Sequence, residues 1–229
     1  IRHRAYGQRI TEIIGGKATH PVSGLPGGVS KPLDEEGRRA ILDMARSLVG
    51  FAQFSLATFH ELVLGNPGYM DLIRSDMFTQ RTYYMGMVDV RNRVSFCDGK
   101  VRVVDPAGSE FAKFDAQDYE EHIEERSEEW TYSKFPFLRK VGWKGFTDGK
   151  DNGAYRVGPL GRLNAAEGMA TPLANKEYQE LFSLLGRPVH STLAFHWARL
   201  IELLYAAERA VELASDPEIT SPDVRNMPG

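Results

Sequence analysis

The stretch that most constrains the fold is GGKATHPVSGLPGGVSKPL, at Gly15–Leu33. It holds five of the chain's 22 glycines and three of its 12 prolines. Proline fixes φ and lacks an N–H donor, and glycine permits positive φ, so we expect neither a helix nor an ordinary strand here. Helical patterns flank the stretch, and its apolar residues recur every three or four positions, which predicts a long, packed connection. On chemistry alone, a structural crossover between two helices is the favoured interpretation.

Composition bounds the class of protein. The chain has 229 residues, enough for one large domain or two small ones. Its net charge of −3 gives no basic field for nucleic acid or an anionic membrane surface. We find no apolar run of the roughly 18–20 residues that a membrane span needs, and no signal peptide. The single Cys97 excludes an intramolecular disulfide and is typical of a cytoplasmic protein. Both ends suggest an internal piece of a longer chain.

Apolar spacing predicts four main helices. The first covers residues 1–14 and ends at Gly15–Gly16. The second begins at the acidic Asp34–Glu36 and runs to about Leu64. From Leu48 onward it is apolar on nearly every face, which predicts a central helix of a bundle. A third covers about Asn175–Leu185, and a final helix over Ser191–Ala214 carries apolar residues at steps of four and three, typical of a bundle seam.

The middle of the chain predicts a small antiparallel sheet. Arg93–Cys97 and Lys100–Val104 flank Asp98–Gly99, a strong hairpin signal, and Ser109–Phe114 follows a second turn. A short helix is expected at Tyr69–Met77, an acidic surface helix after Asp115, an exposed His122 within it, and irregular, aromatic-rich chain over 130–172. The predicted class is therefore mainly α with a small inserted antiparallel β-sheet (α+β). We expect one fragment of a larger domain, divided at 1–80, 81–170 and 171–229.

Motifs for a reaction are missing from the sequence. It contains no GxxxxGK[ST], GxGxxG, HExxH or CxxC. His190 and His196 are six residues apart, so one helix would not place them on the same face. His60 lies in the second half of the long helix, where a packed or hydrogen-bonded histidine is favoured over a metal ligand. Spacing alone therefore assigns no catalytic residue and no metal ligand.

Three segments in order do resemble a family. YGQRITEII with the loop that follows, GPLGRLN at Gly158–Asn164, and HSTLAFHWARLIELLYAAERA resemble the central part of a nickel–iron hydrogenase large subunit. The cytoplasmic, NAD-linked bidirectional group is the most similar branch. The resemblance implies a nickel-dependent oxidoreductase that oxidises H2 or reduces protons reversibly, with the long-helix bundle of that subunit. It implies two partners: a small subunit with iron–sulfur clusters and a flavin-containing module that reduces NAD.

The chain departs from this family at the metal centre. The resemblance implies a nickel–iron centre held by four cysteines in two CxxC motifs, and neither motif is present. We therefore expect the ligands to lie outside this chain, which alone would bind no metal and be inactive. What remains is scaffold and groups near the centre or its interface. These candidates are His20, Pro26, Gly27, Gly28 and Arg162, with a structural ion pair favoured for Arg162 and, for His20, a hydrogen bond within its own loop as the alternative.

Two other functions stay open at this point. The first is a nickel-free related subunit of a quinone-reducing respiratory complex, which has a similar His-to-PGGV loop. The second is a non-enzymatic helical interaction module, suggested by the seam of the last helix. For all of them we expect a cytoplasmic protein that has no nucleic-acid partner and no membrane span.

Overall fold

A computed structural model of the chain describes residues 1–226. Helices and small sheets alternate along it, which confirms the α+β class. The finer prediction, a long-helix bundle of the large-subunit type, is not confirmed. The chain forms two compact units, one of residues 1–57 with those from Leu203 onward, and one of Thr58–Glu202. The predicted three-part division stays a prediction, and residues 227–229 lie outside the described part.

The first unit begins with two helices joined by the glycine-rich loop. Helix α1 covers Arg2–Gly15 and ends because Gly16 adopts φ 77°, with its N–H bonded to the Glu12 carbonyl. The loop carries a two-residue hairpin, strands β1 (Gly24–Leu25) and β2 (Gly28–Val29). Helix α2 covers Glu35–Phe59, and the Asp34 carboxylate caps it by accepting a 2.7 Å hydrogen bond from the Gly37 N–H. The loop is largely exposed, not packed as predicted.

Helix α2 is not buried all round, which corrects the sequence-based prediction. Its buried residues form one stripe, whereas Phe54 is 67% exposed, and Leu62, in the π-helical turn that follows α2, is 60% exposed. The helical segment Glu35–Leu64 is long and apolar enough to cross a membrane by length and composition, although the sequence analysis found no such run. An apolar helix of a protein core passes the same test, so this feature alone favours neither environment.

The second unit contains most of the strands and the shorter helices. A π-helical turn at His60–Leu64 continues α2, and Asn66 caps the next helix by accepting from the N–H groups of Gly68 and Tyr69. The elements are α3 (Pro67–Arg74), β3 (Tyr83–Val88), β4 (Lys100–Val104), β5 (Glu110–Phe114), α4 (Tyr119–His122), β6 (Ile123–Ser127), β7 (Lys134–Leu138), β8 (Tyr155–Arg156), α5 (Gly158–Ala165), α6 (Pro172–Leu185) and α7 (Phe195–Ser215), of which α7 belongs to this unit up to Glu202.

The main sheet has four strands in the order β5-β4-β3-β8. Strand β3 is antiparallel to β4 and parallel to β8. The predicted strand Arg93–Cys97 is wrong: those residues lie in the long β3–β4 connection, where Val94 forms an isolated bridge to Val88 and Arg93 one to Gly168. The real partner, β3, escaped sequence analysis because YYMGMV is buried on both faces and shows no apolar–polar alternation.

Two further segments differ from the prediction. The acidic stretch after Asp115 is helical only to His122 and then forms strand β6, which pairs with β7 from Ile123 opposite Leu138. His122 is half-buried, with its ring stacked 3.8 Å from that of Phe114. Pairing with β7 satisfies the backbone of β6, and this gain is invisible in its local sequence. The GPLGRLN segment, predicted irregular, is helix α5.

The core of the second unit lies on the two faces of β3. One face packs Tyr83 and Met85 with Val103, Phe114 and Leu138. The other face receives α5, whose Leu160 and Leu163 are fully buried. Helices α6 and α7 confirm the predicted C-terminal helices, and Trp197 and Leu204 of the predicted seam are buried.

Gly99 supports a test of the β3–β4 connection. It has φ 114°, and a Cβ there would lie 2.0 Å from the Val88 carbonyl oxygen. Gly149 has a similar φ of 107°, with nothing within 4 Å of such a Cβ. We expect Gly149→Ala to lower the free energy of unfolding by about 1 kcal/mol, from backbone strain. Gly99→Ala adds a steric clash and should cost about 3 kcal/mol or more. Urea denaturation measures both, and equal losses would contradict the close contact.

Candidate functional site

The GPLGRLN segment places a buried ion pair at the centre of the second unit. Arg162 of α5 donates to both carboxylate oxygens of Glu202 on α7, from Nε at 2.6 Å and from Nη2 at 2.8 Å. The Glu202 side chain is 9% exposed and that of Arg162 31%. The Glu202 hydrogen bonds raise the pKa of Arg162. A two-pronged guanidinium–carboxylate pair fixes orientation as well as charge, so the Arg162–Glu202 contact holds α5 against α7.

Asn164, in the same helix, ties α5 to the chain before α7. Its side-chain amide donates to the Val189 carbonyl at 2.9 Å and accepts from the Val189 N–H at 2.8 Å. Since Asn164 is buried, both bonds satisfy groups that would otherwise be costly to bury. The GPLGRLN segment therefore connects the main sheet to α7 and to the chain that precedes α7.

Tyr84, His190 and Arg156 form a second polar cluster on β3 and its neighbours. The Tyr84 hydroxyl lies 2.6 Å from Nδ1 of His190, and Arg156 donates to the His190 carbonyl at 3.0 Å. Burial raises the pKa of Tyr84. Burial is also the main cause that lowers the pKa of His190, followed by the positive charges of Arg81 and Arg156. The cluster therefore favours a neutral tyrosine and a neutral histidine near neutral pH.

The loop candidates Pro26, Gly27 and Gly28 lie in the first unit, at the tip of the β1–β2 hairpin. The Gly27 carbonyl accepts from the Asn226 N–H at 2.9 Å. A Cβ at Gly27 would lie 1.8 Å from the Asn226 carbonyl oxygen, and one at Gly28 would lie 2.1 Å from that of Val224. Only glycine tolerates such close approach at φ 85° and 155°. These residues hold the hairpin against chain segment 224–226, and any role at an interface stays a prediction.

His20 is the polar candidate of the loop, and it is exposed. Its φ of 52° is uncommon for a residue other than glycine. Within residues 1–226, its side chain has no hydrogen bond to its own loop, the alternative that the sequence analysis considered. The structure thus presents an imidazole in the exposed loop four residues before the β1–β2 hairpin, and places it in a different unit from Arg162.

The structure also brings together three side chains that sequence analysis did not connect. His60 begins the π-helical turn, and its ring nitrogens face Glu177 and Glu180 of α6. His60 was predicted to be packed or hydrogen-bonded, and it is: Nε2 lies 3.0 Å from a Glu177 oxygen. The three-residue spacing of the glutamates was the available signal. The single Cys97 is exposed and provides no thiolate cluster.

Comparison with known proteins relates the chain to hydrogenase subunits, which are oxidoreductases. It is 42% identical over 98% of its length to an F420-non-reducing hydrogenase iron-sulfur subunit of Archaeoglobus profundus, and covers 46% of that protein. It is 39% identical over 98% of its length to an F420-non-reducing hydrogenase vhu subunit of Methanococcus voltae, covering 51%. The NAD-reducing hydrogenase HoxS subunit beta of Cupriavidus necator is 32% identical over 94% of the chain, with 43% covered. No protein-family model matches the chain.

Solved structures agree on the fold. An NAD+-reducing [NiFe]-hydrogenase in the H2-reduced state matches 99% of this chain, with a TM-score of 0.87 at 28% identity. The Dm. baculatum [NiFeSe]-hydrogenase matches with a TM-score of 0.57 at 14% identity and supports the fold alone. The chain covers 48% and 50% of these structures. It therefore spans about half the length of the proteins it matches.

These comparisons contradict the prediction that the chain is part of the large, catalytic subunit. The Archaeoglobus profundus relative is named an iron–sulfur subunit, and the Cupriavidus necator relative is named subunit beta. The earlier expectation of a large, catalytic subunit is therefore withdrawn. The predicted small-subunit partner is wrong for the same reason. The NAD-linked group is represented by a 32% identical relative, below the identities to the F420-non-reducing proteins.

We expect loss of the Arg162–Glu202 pair to destabilise the protein more than loss of an exposed ion pair. Glu202→Gln removes the negative charge and leaves a partly buried guanidinium without its counter-charge. We expect the free energy of unfolding to fall by about 2 kcal/mol. Glu212→Gln, on the same helix, breaks an exposed pair with Arg209 and should cost less than about 0.5 kcal/mol. Chemical denaturation of both variants measures the difference, and similar losses would mean that the buried pair contributes little.

The His190 cluster predicts a pH dependence. Because the folded-state pKa of His190 lies below its unfolded value, its contribution is fully present above the unfolded pKa. That contribution is lost as pH falls below about 6.5, where the unfolded chain takes up a proton first. We expect His190→Gln to flatten the fall in unfolding free energy between pH 7.5 and 5.5. The exposed His196→Gln should retain the wild-type slope, and an unchanged slope in His190→Gln would refute the assignment.

Proposed function

We propose that this chain is part of a subunit of a hydrogenase complex and supplies scaffold and contact surface to it. The observation that carries the proposal is the match of essentially the whole chain to hydrogenases, at 42% identity over 98% of its length in sequence and TM-score 0.87 in structure. The reaction proposed for the complex is the reversible oxidation of H2, with electrons leaving through iron–sulfur clusters.

The geometry supports a structural contribution from these residues. Arg162 binds Glu202 through two guanidinium nitrogens, and Asn164 binds Val189 through both side-chain amide atoms, so both residues make structural contacts. We propose that the nickel–iron centre of the complex takes its ligands from outside this chain, because this sequence has a single cysteine and such a centre is held by thiolates. In this proposal α5 does not contact the metal centre. It contributes by fixing the position of the sheet relative to α7.

The exposed hairpin is the proposed contact surface. His20, Pro26, Gly27 and Gly28 lie on a loop that backbone hydrogen bonds hold to segment 224–226. A surface that is already ordered loses less conformational entropy when a partner binds. We propose that His20 contacts a neighbouring subunit of the complex.

The electron acceptor is proposed from the relatives. Several are named F420-non-reducing and one NAD-reducing, so an acceptor other than F420 accommodates both groups. We propose NAD, reached through a flavin-containing module, as the first acceptor to assay, and the cytoplasm as the location of the complex.

The experiment is purification of the complex through a tag on the full-length protein, after maturation with its accessory factors. We expect companion subunits to copurify and H2 to reduce benzyl viologen. NAD+ and F420 are assayed in parallel, and the subunits are then separated for measurement of their nickel and iron. A complete complex without H2-dependent reduction would overturn the proposed function.

The same purification tests the hairpin. Replacement of His20 by Ala should weaken retention of the companion subunit threefold or more, because the contact is lost while the hairpin backbone remains. Lys17→Ala, in the same loop, is the matched control and should retain wild-type yield. Equal retention of the companion subunit by the two variants would show that His20 makes no contact with that subunit.

A further inference from the structure

The side chains of His60, Glu177 and Glu180 lie close together in the second unit, and each ring nitrogen of His60 faces a different carboxylate. His60 Nε2 lies 3.0 Å from Oε2 of Glu177, and its Nδ1 lies 3.6 Å from Oε1 of Glu180. Taking one ligand atom from each residue, all three atoms fall within 4.8 Å of one another. Two ligands about 2.1 Å from one tetrahedral ion are about 3.4 Å apart, close to the 3.0 Å and 3.6 Å separations found here.

The backbone holds these groups in place. Glu177 and Glu180 are three residues apart on α6, so both project from the same face of a regular helix. His60 is the first residue of the π-helical turn, and such turns are frequent at functional sites. The buried indole of Trp197 packs edge-on against the imidazole, with ring centroids 5.5 Å apart at 84°. This contact sets the ring plane in the way that outer-shell groups orient a ligand histidine.

The charge of the group favours a cation. With a neutral imidazole, two carboxylates leave two negative charges facing one ring. The side chains of His60, Glu177 and Glu180 are 28%, 18% and 45% exposed, so an ion can reach the group and water can complete its coordination. One imidazole nitrogen and two carboxylate oxygens suit a borderline-soft divalent ion such as Zn²⁺. Mg²⁺ and Ca²⁺ prefer all-oxygen sites.

We propose that His60, Glu177 and Glu180 form a binding site for a divalent transition-metal ion of the Zn²⁺ class, which links the π-helical turn to α6. The site requires only these three side chains, so it stands or fails independently of the hydrogenase activity. It differs from a thiolate centre in holding no sulfur. The competing arrangement is a protonated His60 that bridges the two carboxylates without a metal.

The test is isothermal titration calorimetry, in which Zn²⁺ is added to the metal-free purified protein at pH 7.5 and the heat of binding is measured. We expect one site, and at least tenfold weaker binding in His60→Ala and in Glu177→Gln. Glu180→Gln changes an exposed carboxylate and should weaken binding without disturbing the fold, which circular dichroism checks. His196→Ala removes a histidine outside the group and should leave the affinity within twofold. Unchanged Zn²⁺ binding in all three ligand variants would overturn the site.

Two further measurements separate this site from the alternatives. X-ray absorption of the Zn²⁺-loaded protein should show nitrogen and oxygen ligands only, whereas a sulfur ligand would indicate binding at Cys97 and contradict the proposal. Zn²⁺ affinity should fall as pH decreases, because metal ligands must be deprotonated. Wild-type protein that takes up no Zn²⁺ would overturn the site.

Discussion

The second unit depends on how closely helix α5 approaches strand β3. A Cβ at Gly86 would lie 2.7 Å from the Cα of Arg162, so the strand accepts the helix only because Gly86 has no side chain. Once the helix is in place, Arg162 meets Glu202 and Asn164 meets Val189. This one close backbone contact therefore positions the polar groups of α5. These groups join the sheet to α7 and to the chain before α7.

The close packing of α5 on β3 explains why the polar groups around this contact are paired. Arg162, Glu202 and Asn164 are buried or partly buried and paired, as groups must be when their hydration is lost. Their positions leave little freedom to move, which suits a structural joint better than a reacting site. The His60 group is different, since its two carboxylates share one imidazole and remain accessible. That contrast separates a structural joint from a ligand site within one unit.

Sequence analysis was most successful where structure is local. The end of α1 at Gly16 follows from glycine capping, and the spacing of apolar residues is sufficient for α1, α2, α6 and α7. It failed where a partner distant in sequence decides. Strand β3 is buried on both faces and has no alternation, and β6 forms because β7 pairs with it. The resemblance of the loop and GPLGRLN identified hydrogenases correctly but assigned the wrong subunit.

The sequence by itself determined the α+β class, the main helices and the relation to hydrogenases, because capping, periodicity and ordered motifs are properties of neighbouring residues. Only the tertiary structure decided that the Gly15–Leu33 loop is an exposed hairpin held to segment 224–226, and that GPLGRLN is a buried helix paired with Glu202. It alone brought His60 to Glu177 and Glu180. His60 and Glu177 are 117 positions apart in the sequence. Such contacts depend on how separate elements pack, and no local pattern encodes them.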